Sequence, residues 1–362
     1  MDNKITKRRL SDFLAYEWIL MIVIAVVAIL VWELVYTMAG VRLSVGQQFK
    51  FYFDETVYGN ASAVISILDK DGEDGALSYD ILELNAESLS SDFNVLSTRL
   101  SIQEGDILIT DCKDPTEEEN SEEVEDKSIR LKTMVDSYDG YAFEELLLDA
   151  KIYLLGFIKD NVSDPFDYSV LEKKETLVAN LDTQKIEKSF RSRMKKDNRF
   201  RKESDIKIGI GLETERLTKL YKEVVAFDNL LEFENQYNNL FYRYTKYSQS
   251  RDKQEKESDK NAWNDYTQNE IKRLTDRGIT GTEKVNGEFT DTEFIYAINL
   301  GALPTVEGKT NPSDLCVYKG TESAENVCIM VFDFRSYQPH LQFETISFIN
   351  AIVRSCSTLN IG

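Results

Sequence analysis

The longest apolar run in the chain lies near its N-terminus and predicts a single membrane-spanning helix. No polar side chain interrupts this run between Ile19 and Trp32, and apolar residues resume after Glu33. A helix over residues 18–39 is about 33 Å long at about 1.5 Å per residue, enough to cross a hydrocarbon core of about 30 Å. Glu33 lies near the outer end of the run, where we expect its side chain to reach water.

The charges that flank the run predict its orientation. Four cations precede it within residues 1–17, whereas only Arg42 and Lys50 follow it closely. The positive-inside rule therefore predicts a cytoplasmic basic tail over residues 1–17 and an extracytoplasmic position for residues 41–362. A signal peptide cleaved near Gly40 is the alternative, but its apolar region would exceed the about 7–15 residues typical of such peptides. We expect a signal anchor that crosses the cell membrane once.

Shorter patterns beyond the run predict an α/β ectodomain. Alternating aromatic residues in VGQQFKFYFDETVYG and the apolar run in GDILITD predict strands, and a helical pattern lies between them. We assign residues 44–135 to an α/β lobe and residues 136–289, where helical spacing prevails, to a mainly helical lobe. In residues 290–362, EFIYAINL and CIMVFDF predict returning strands, and FETISFINAIVRSCS predicts a C-terminal helix that completes the lobes.

Charge is distributed unevenly along the chain. The formal net charge of −20 argues against nucleic acid as a partner, because phosphates require a basic surface. Residues 185–207 are the exception, with ten cations against four acids. The candidate partner-binding residues are cations spaced four apart, on a stripe that we expect to be exposed: Arg191, Lys195 and Arg199. An acidic partner or a lipid surface fits such a stripe, and a merely solvated face is the alternative.

Known catalytic signatures are missing from the sequence, so an enzyme is not predicted. His340 is the one histidine, and no GxSxG, Walker or GxGxxG motif occurs. An SxxK match over residues 192–195 lies in the basic segment without any accompanying motif. No cofactor is predicted.

Two acid-rich stretches resemble metal sites in composition but not in geometry. DKDGEDGALSYD carries acids at four positions of a calcium loop, but Asp74 stands where the sharp turn of that loop needs glycine. Residues 114–126 follow the strand GDILITD and lack any fixed spacing. We interpret both stretches as solvated turns or loops, and no metal site is predicted.

Four cysteines lie beyond the apolar run, where an exported compartment permits disulfides. Cys316 and Cys328 flank a short polar stretch between two strand-like runs, so a disulfide that closes a hairpin fits the pattern. Free buried thiols fit it as well. The spacing does not suggest zinc, which favours close CxxC pairs.

Three stretches carry a resemblance to a known family: VLSTRLSIQEGDILITD, EFIYAINLGALP and VCIMVFDFRSYQPHLQFETISFINAIV. They resemble parts of the extracellular solute-binding proteins of ABC importers, which have the two-lobed type-2 periplasmic-binding fold. The chain departs from that family in three ways. An apolar anchor stands in place of a lipoprotein cysteine, the segment for the long first helix is too short, and a basic segment is inserted.

The resemblance implies a ligand between two lobes, at the carboxyl ends of strands. Asp111 ends such a strand and would face that cleft. Candidate aromatic faces for a sugar or peptide are Tyr58, Tyr296 and Trp263, although for Trp263 the core of its own helix is the favoured interpretation. An importer permease would then be the partner. Two hypotheses follow: a tethered solute-binding module, or a tethered structural or regulatory protein that docks a partner through residues 185–207.

Overall fold

The computed structural model describes residues 7–39, 47–54, 57, 59–70, 75–89, 96, 98–99, 105, 107–111, 134–135, 140–162, 174–237, 239–244, 294–317, 326–332 and 343–362. The chain divides into two compact units, Met1–Ser44 and Val45–Gly362.

The described residues of the first unit form the helix α1, over Lys7–Ala39. The side chains of residues 18–34 are all exposed, and Trp32 is 71% exposed. Within the described residues, no helix meets the length and apolarity needed to cross a membrane. The predicted membrane span over residues 18–39 is therefore not supported by that finding.

The second unit alternates helices and strands. Its strands are β1 (Gln48–Phe53), β2 (Glu83–Ser88), β3 (Ile107–Asp111), β4 (Phe241–Tyr244), β5 (Phe294–Asn299) and β6 (Val327–Val331). Its helices are α2 (Ala61–Lys70), α3 (Phe143–Leu155), α4 (Lys174–Asn180), α5 (Thr183–Arg193), α6 (Glu203–Glu232) and α7 (Phe343–Cys356).

One mixed sheet joins all six strands in the order β2-β1-β3-β6-β5-β4. β1 runs parallel to β2 and β3, and the pairs β3–β6, β6–β5 and β5–β4 are antiparallel. The α/β class is thus confirmed. Strands from all three predicted segments enter this one sheet, so a division into two lobes is not seen among the described residues.

The central strands β3 and β6 are buried on both faces of the sheet. Successive side chains of a strand point to opposite sides, so they enter two different cores. Phe51 belongs to the larger core, with Phe49 and Phe53, whereas Tyr52 belongs to a smaller core on the other face. Residues of α3, α5, α6 and α7 complete the larger core, where the Phe348 ring lies 5.4 Å from the Phe51 ring. The strand predicted from the aromatic alternation is confirmed as β1.

The other predicted elements divide into those that the structure describes and those that it does not. GDILITD, EFIYAINL, CIMVFDF and the C-terminal helix are confirmed as β3, β5, β6 and α7. Asp74 of the calcium-like stretch, residues 114–126 and the helix predicted around Trp263 lie outside the described residues.

Candidate functional site

The basic segment 185–207 does not form one continuous helix. The carboxylate of Asp182 caps α5, where it accepts hydrogen bonds from the backbone N–H groups of Gln184 and Lys185 at 2.9 and 3.2 Å. Three apolar residues spaced four apart along the segment are buried: Ile186 and Phe190 in α5, and Met194 directly after it. The helix ends at Arg193, which is only halfway through the segment.

Two short 3₁₀ turns, Met194–Lys196 and Asn198–Phe200, connect α5 to α6. Asp197 lies between the turns and caps the second one by accepting a hydrogen bond from the backbone N–H of Arg199 at 2.8 Å. The chain therefore changes direction between the two helices. The four-residue spacing of the cations no longer corresponds to one helix face beyond Arg193.

A cleft of about 530 Å³ is lined by the end of α5, the two turns and the start of α6. Its apolar lining consists of Phe190, Met194, Phe200 and Ile206. The rings of Phe190 and Phe200 are packed edge to face, with centroids 5.0 Å apart. We call this lining the apolar floor.

Gly209, on the second turn of α6, allows the two rings of the apolar floor to lie against the helix backbone. A Cβ atom at this position would collide with the Phe190 ring and would come within 2.8 Å of Cε1 of Phe200. Two residues further along α6, a Cβ at Gly211 would meet nothing within 4 Å. The shape of the apolar floor therefore depends on glycine at position 209.

Three exposed cations line the same cleft: Arg191, Lys195 and Arg201. We call them the basic rim. Arg191 forms ion pairs with Glu187 at 2.7 Å and with Glu203 at 2.5 Å, and Arg201 donates to the side-chain oxygen of Asn198. Within the described part of the chain, no ion pair involves Lys195.

Asp197 is the acid in the lining, and its charge is already compensated. The guanidinium of Arg199 lies 2.8 Å from its carboxylate, and Gln47 donates to the same carboxylate at 2.8 Å. Partial burial acts to raise the pKa of Asp197, but these hydrogen bonds outweigh it and lower that pKa below its usual value. The lining therefore carries a net positive charge that faces solvent.

The other arginines of the segment turn inward, away from the basic rim. Arg193 forms ion pairs with Asp80 and, at 2.5 Å, with Glu213 of α6. Arg216, also on α6, lies 3.1 Å from Glu213 and 3.6 Å from Glu344, at the start of α7. We call these five side chains the buried ionic network.

The environment moves the pKa values of the network in opposite directions. Burial raises the pKa of Asp80 despite the attraction of Arg193. Burial also acts to raise the pKa of Glu213, but Arg216 and Arg193 outweigh it and lower that pKa. Tyr79 donates a hydrogen bond to Glu213 at 2.8 Å, which also favours the ionised form of the carboxylate.

The structure separates the three predicted partner-binding residues. Arg191 and Lys195 line the cleft, but Arg199 does not. Arg199 pairs with Asp197, donates to the backbone oxygen of Tyr79 at 3.2 Å and lies 3.7 Å from the carboxylate of Asp80. The prediction of one exposed stripe through these residues is wrong, because α5 ends before Arg199.

Of the predicted ligand-binding residues, the two that the structure describes, Asp111 and Tyr296, do not line this cleft. Asp111 is the last residue of β3, as predicted, but only 9% of it is exposed. Tyr296 is buried in β5, and its ring packs against Tyr244 with centroids 6.5 Å apart. Tyr58 and Trp263 lie outside the described residues.

The cysteines do not pair as the hairpin pattern suggested. Cys328 is disulfide-bonded, whereas Cys316 and Cys356 are free and buried. Cys316 follows the 3₁₀ turn Pro312–Leu315, and its backbone forms an isolated antiparallel β-bridge with that of Gly59. Cys328 lies in β6, where it pairs with Thr110 of β3. Burial raises the pKa of Cys316 to about 11 and that of Cys356 to about 12, so both stay protonated near neutral pH. The described residues contain no cluster that could hold a metal ion.

No family model matches the chain, and neither does any curated protein or solved structure. The resemblance of three stretches to solute-binding proteins therefore remains a prediction.

Proposed function

We propose that the chain is a membrane-tethered, extracytoplasmic interaction protein that binds an acidic partner in the cleft and performs no chemistry. The observation that carries this proposal is the basic rim. A protein with a formal charge of −20 repels anions over most of its surface, yet it presents exposed cations around a concave site. Opposite charge speeds the encounter with such a partner and orients it.

Support for the tether comes from α1. The seventeen side chains of residues 18–34 are exposed on every side of the helix, and all but Glu33 are apolar. This stretch is about 26 Å long, roughly a turn short of a hydrocarbon core of about 30 Å. The helix continues to Ala39 through further apolar residues. A helix that is apolar all round is stable only where protein or lipid covers it.

Support for the compartment comes from the cysteines. Disulfides persist in exported proteins and are rare in a reducing cytoplasm. The disulfide at Cys328 therefore favours an extracytoplasmic position for the second unit, in agreement with the cations that precede α1. Cysteines introduced at Asn3 and at exposed Thr305 should react with a membrane-impermeant thiol reagent from opposite sides of the membrane. Labelling of both from the same side would contradict the proposed topology.

A second candidate function is the binding of a small anionic solute for import. The cleft volume of about 530 Å³ supports it, because small-molecule sites typically enclose about 300–1,000 Å³. A permease would then be a required partner. The sugar or peptide ligand between two lobes is less well supported, because neither Asp111 nor Tyr296 lines the cleft.

The interaction function is tested with the full-length protein in detergent micelles. Short peptides that share one central phenylalanine and differ only in flanking Glu, Gln or Lys residues are titrated by fluorescence anisotropy. We expect the Glu peptide to bind, and its affinity to fall with rising salt because exposed charges are screened beyond about 8 Å. Arg191→Glu with Lys195→Glu should abolish that binding.

The matched control reverses two exposed cations of the same segment that do not line the cleft, Lys188→Glu with Lys207→Glu. It changes the net charge by the same amount and should bind the Glu peptide with only a modest loss. If both double variants lose binding equally, the net charge and not the cleft is responsible, and the proposal fails.

A further inference from the structure

We infer that the occupant of the cleft is an acidic peptide segment that carries a large apolar side chain, and not a purely polar anion. This inference rests on the proposed binding function and names its ligand class. It follows from the presence of the apolar floor and the basic rim in one cleft. A purely polar ligand would complement only the rim, and a purely apolar ligand only the floor.

The apolar floor requires an apolar group from the ligand. Phe200 and Ile206 are partly buried and present carbon to a side chain that enters the cleft, while the buried Phe190 and Met194 support them from beneath. The Phe200 ring, held edge to face against Phe190, offers the contact that an aromatic or large aliphatic side chain prefers. A polar anion in this position would lose water without gaining hydrogen bonds from the floor.

The basic rim requires negative charge beside that apolar group. Lys195 is exposed, and Arg191 already binds the carboxylates of Glu187 and Glu203. These two glutamates show that carboxylates fit the guanidinium at the rim. They also compete with a ligand for the same donors.

A peptide fits these requirements better than a lipid surface does. The cleft is concave and is lined by residues of both helices and both turns, whereas a bilayer presents a broad surface of head groups. A peptide places carboxylates and an apolar side chain within a few ångströms of each other, as side chains of adjacent residues.

The competition at the rim gives an unusual expectation. Glu203 is exposed, and its carboxylate forms an ion pair with Arg191 at 2.5 Å. Glu203→Gln should therefore strengthen binding of the Glu peptide several-fold, because Arg191 then becomes available to the ligand. Glu215→Gln, at an exposed position of α6 outside the cleft, removes the same charge and should leave the affinity nearly unchanged.

The test compares Glu peptides with a central Phe, Leu or Ser, bound to the full-length protein by fluorescence anisotropy. Phe and Leu should bind about tenfold or more tightly than Ser, in line with the burial of one large apolar side chain. Equal binding of all three would overturn the inference but leave the proposed function intact. Binding of the Glu and Gln peptides alike would instead overturn the proposed function.

Two further arms exclude other ligand classes and folding artefacts. Vesicles rich in an anionic phospholipid are added as competitors, with neutral vesicles as the control. Displacement of the Phe peptide by the anionic vesicles alone would assign the cleft to lipid and overturn the inference.

Gly209→Ala should weaken binding of the Phe peptide more than that of the Ser peptide, because it displaces the apolar floor. Gly211→Ala is the matched control, and an equal effect of both glycine variants would count against a role for the floor.

Discussion

The basic rim and the buried ionic network each use an arginine of α5, and the two arginines differ in how far along the sequence their partners lie. Arg191, on the rim, binds glutamates that are 4 and 12 residues away. Arg193, two residues further on, binds acids that are 20 and 113 residues away. Local partners leave a cation at the surface, whereas distant partners draw it between elements of the fold.

This difference separates a binding role from a structural one. Side-chain ion pairs at the surface contribute about 0–1 kcal/mol, so a ligand carboxylate can displace the glutamates of Arg191 at little cost. Removing one member of a buried pair lowers the stability far more, because the remaining charge is left unpaired in the protein interior, where water does not solvate it. We therefore expect substitutions in the network to change stability and substitutions at the rim to change binding.

Loss of Glu213 is the change with the largest expected effect on stability. Its carboxylate is fully buried between Arg193 and Arg216. Glu213→Gln should lower the free energy of unfolding by about 3–5 kcal/mol. Chemical denaturation measures this change, with Glu187→Gln as the control at the exposed partner of Arg191, where we expect less than about 1 kcal/mol. Equal losses of unfolding free energy for the two variants would contradict the assignment of a structural role to the network and not to the rim.

Substitution of Gly209 should have the next largest effect on stability. Gly209→Ala forces the rings of Phe190 and Phe200 away from α6, and such overpacking costs about 1–3 kcal/mol. Gly211→Ala, in open space on the same helix, should instead stabilise the protein by up to about 1 kcal/mol, because alanine favours helix. Thermal unfolding of the two variants compares them directly. Stabilisation by Gly209→Ala would show that the floor is loosely packed.

The pH dependence of stability probes Asp80. Its pKa is raised in the folded protein, so the folded state binds the proton more tightly, and Asp80 disfavours folding as pH rises through that pKa. The difference in stability between wild type and Asp80→Asn should therefore decline from about pH 4 upward, by about 1.4 kcal/mol for each unit by which the pKa is raised. Urea unfolding over a pH series measures this difference. A constant difference would place Asp80 in a water-like environment.

Charge reversal at the rim should have the smallest effect on stability. Arg191→Glu with Lys195→Glu should change the free energy of unfolding by less than about 1–2 kcal/mol, although it abolishes peptide binding. Adding Arg199→Glu should cost considerably more, because the new carboxylate would face Asp197 and Asp80. Urea unfolding of the double and triple variants checks this order. A triple variant as stable as the double one would show that Arg199 is exposed like the cations of the basic rim.

The disulfide offers a separate check on the second unit. Of the four cysteines in the sequence, Cys316 and Cys356 are free, and Cys112 is the one that remains besides Cys328. Peptide mapping without reduction should therefore recover Cys328 linked to Cys112. Recovery of Cys328 linked to Cys316 would restore the hairpin prediction.

The sequence predicted local elements well, because their signals are local. Phe49, Phe51 and Phe53 alternate, and this is the pattern that a buried strand requires. Strand pairing was not predictable in the same way. Ile109 of β3 pairs with Ile329 of β6, and nothing in either apolar run specifies the other as its neighbour.

The site was predicted in part. Its cations could be recognised from the composition of the segment, but their four-residue spacing suggested one continuous helix. Asp197 is the residue that indicates otherwise, because it caps the 3₁₀ turn that follows α5. The buried acids and bases of α6 also left a readable signal. Glu213 and Arg216 precede Leu217 and Leu220 by four residues each, so they continue the buried face of that helix. A charge at an apolar position of this kind indicates a distant partner.

The pairing of β3 with β6 has a consequence for biosynthesis. It joins residues 107–111 to residues 327–331 at the centre of the sheet, so the sheet cannot close until most of the chain has emerged. Until then the apolar strand ILITD has an unpaired edge, which is a template for aggregation. Such distant pairing also folds slowly. A chain stalled or truncated before β6 should therefore depend on chaperones and be rapidly degraded. The full-length chain should need no chaperone and resist degradation once β6 is inserted into the sheet.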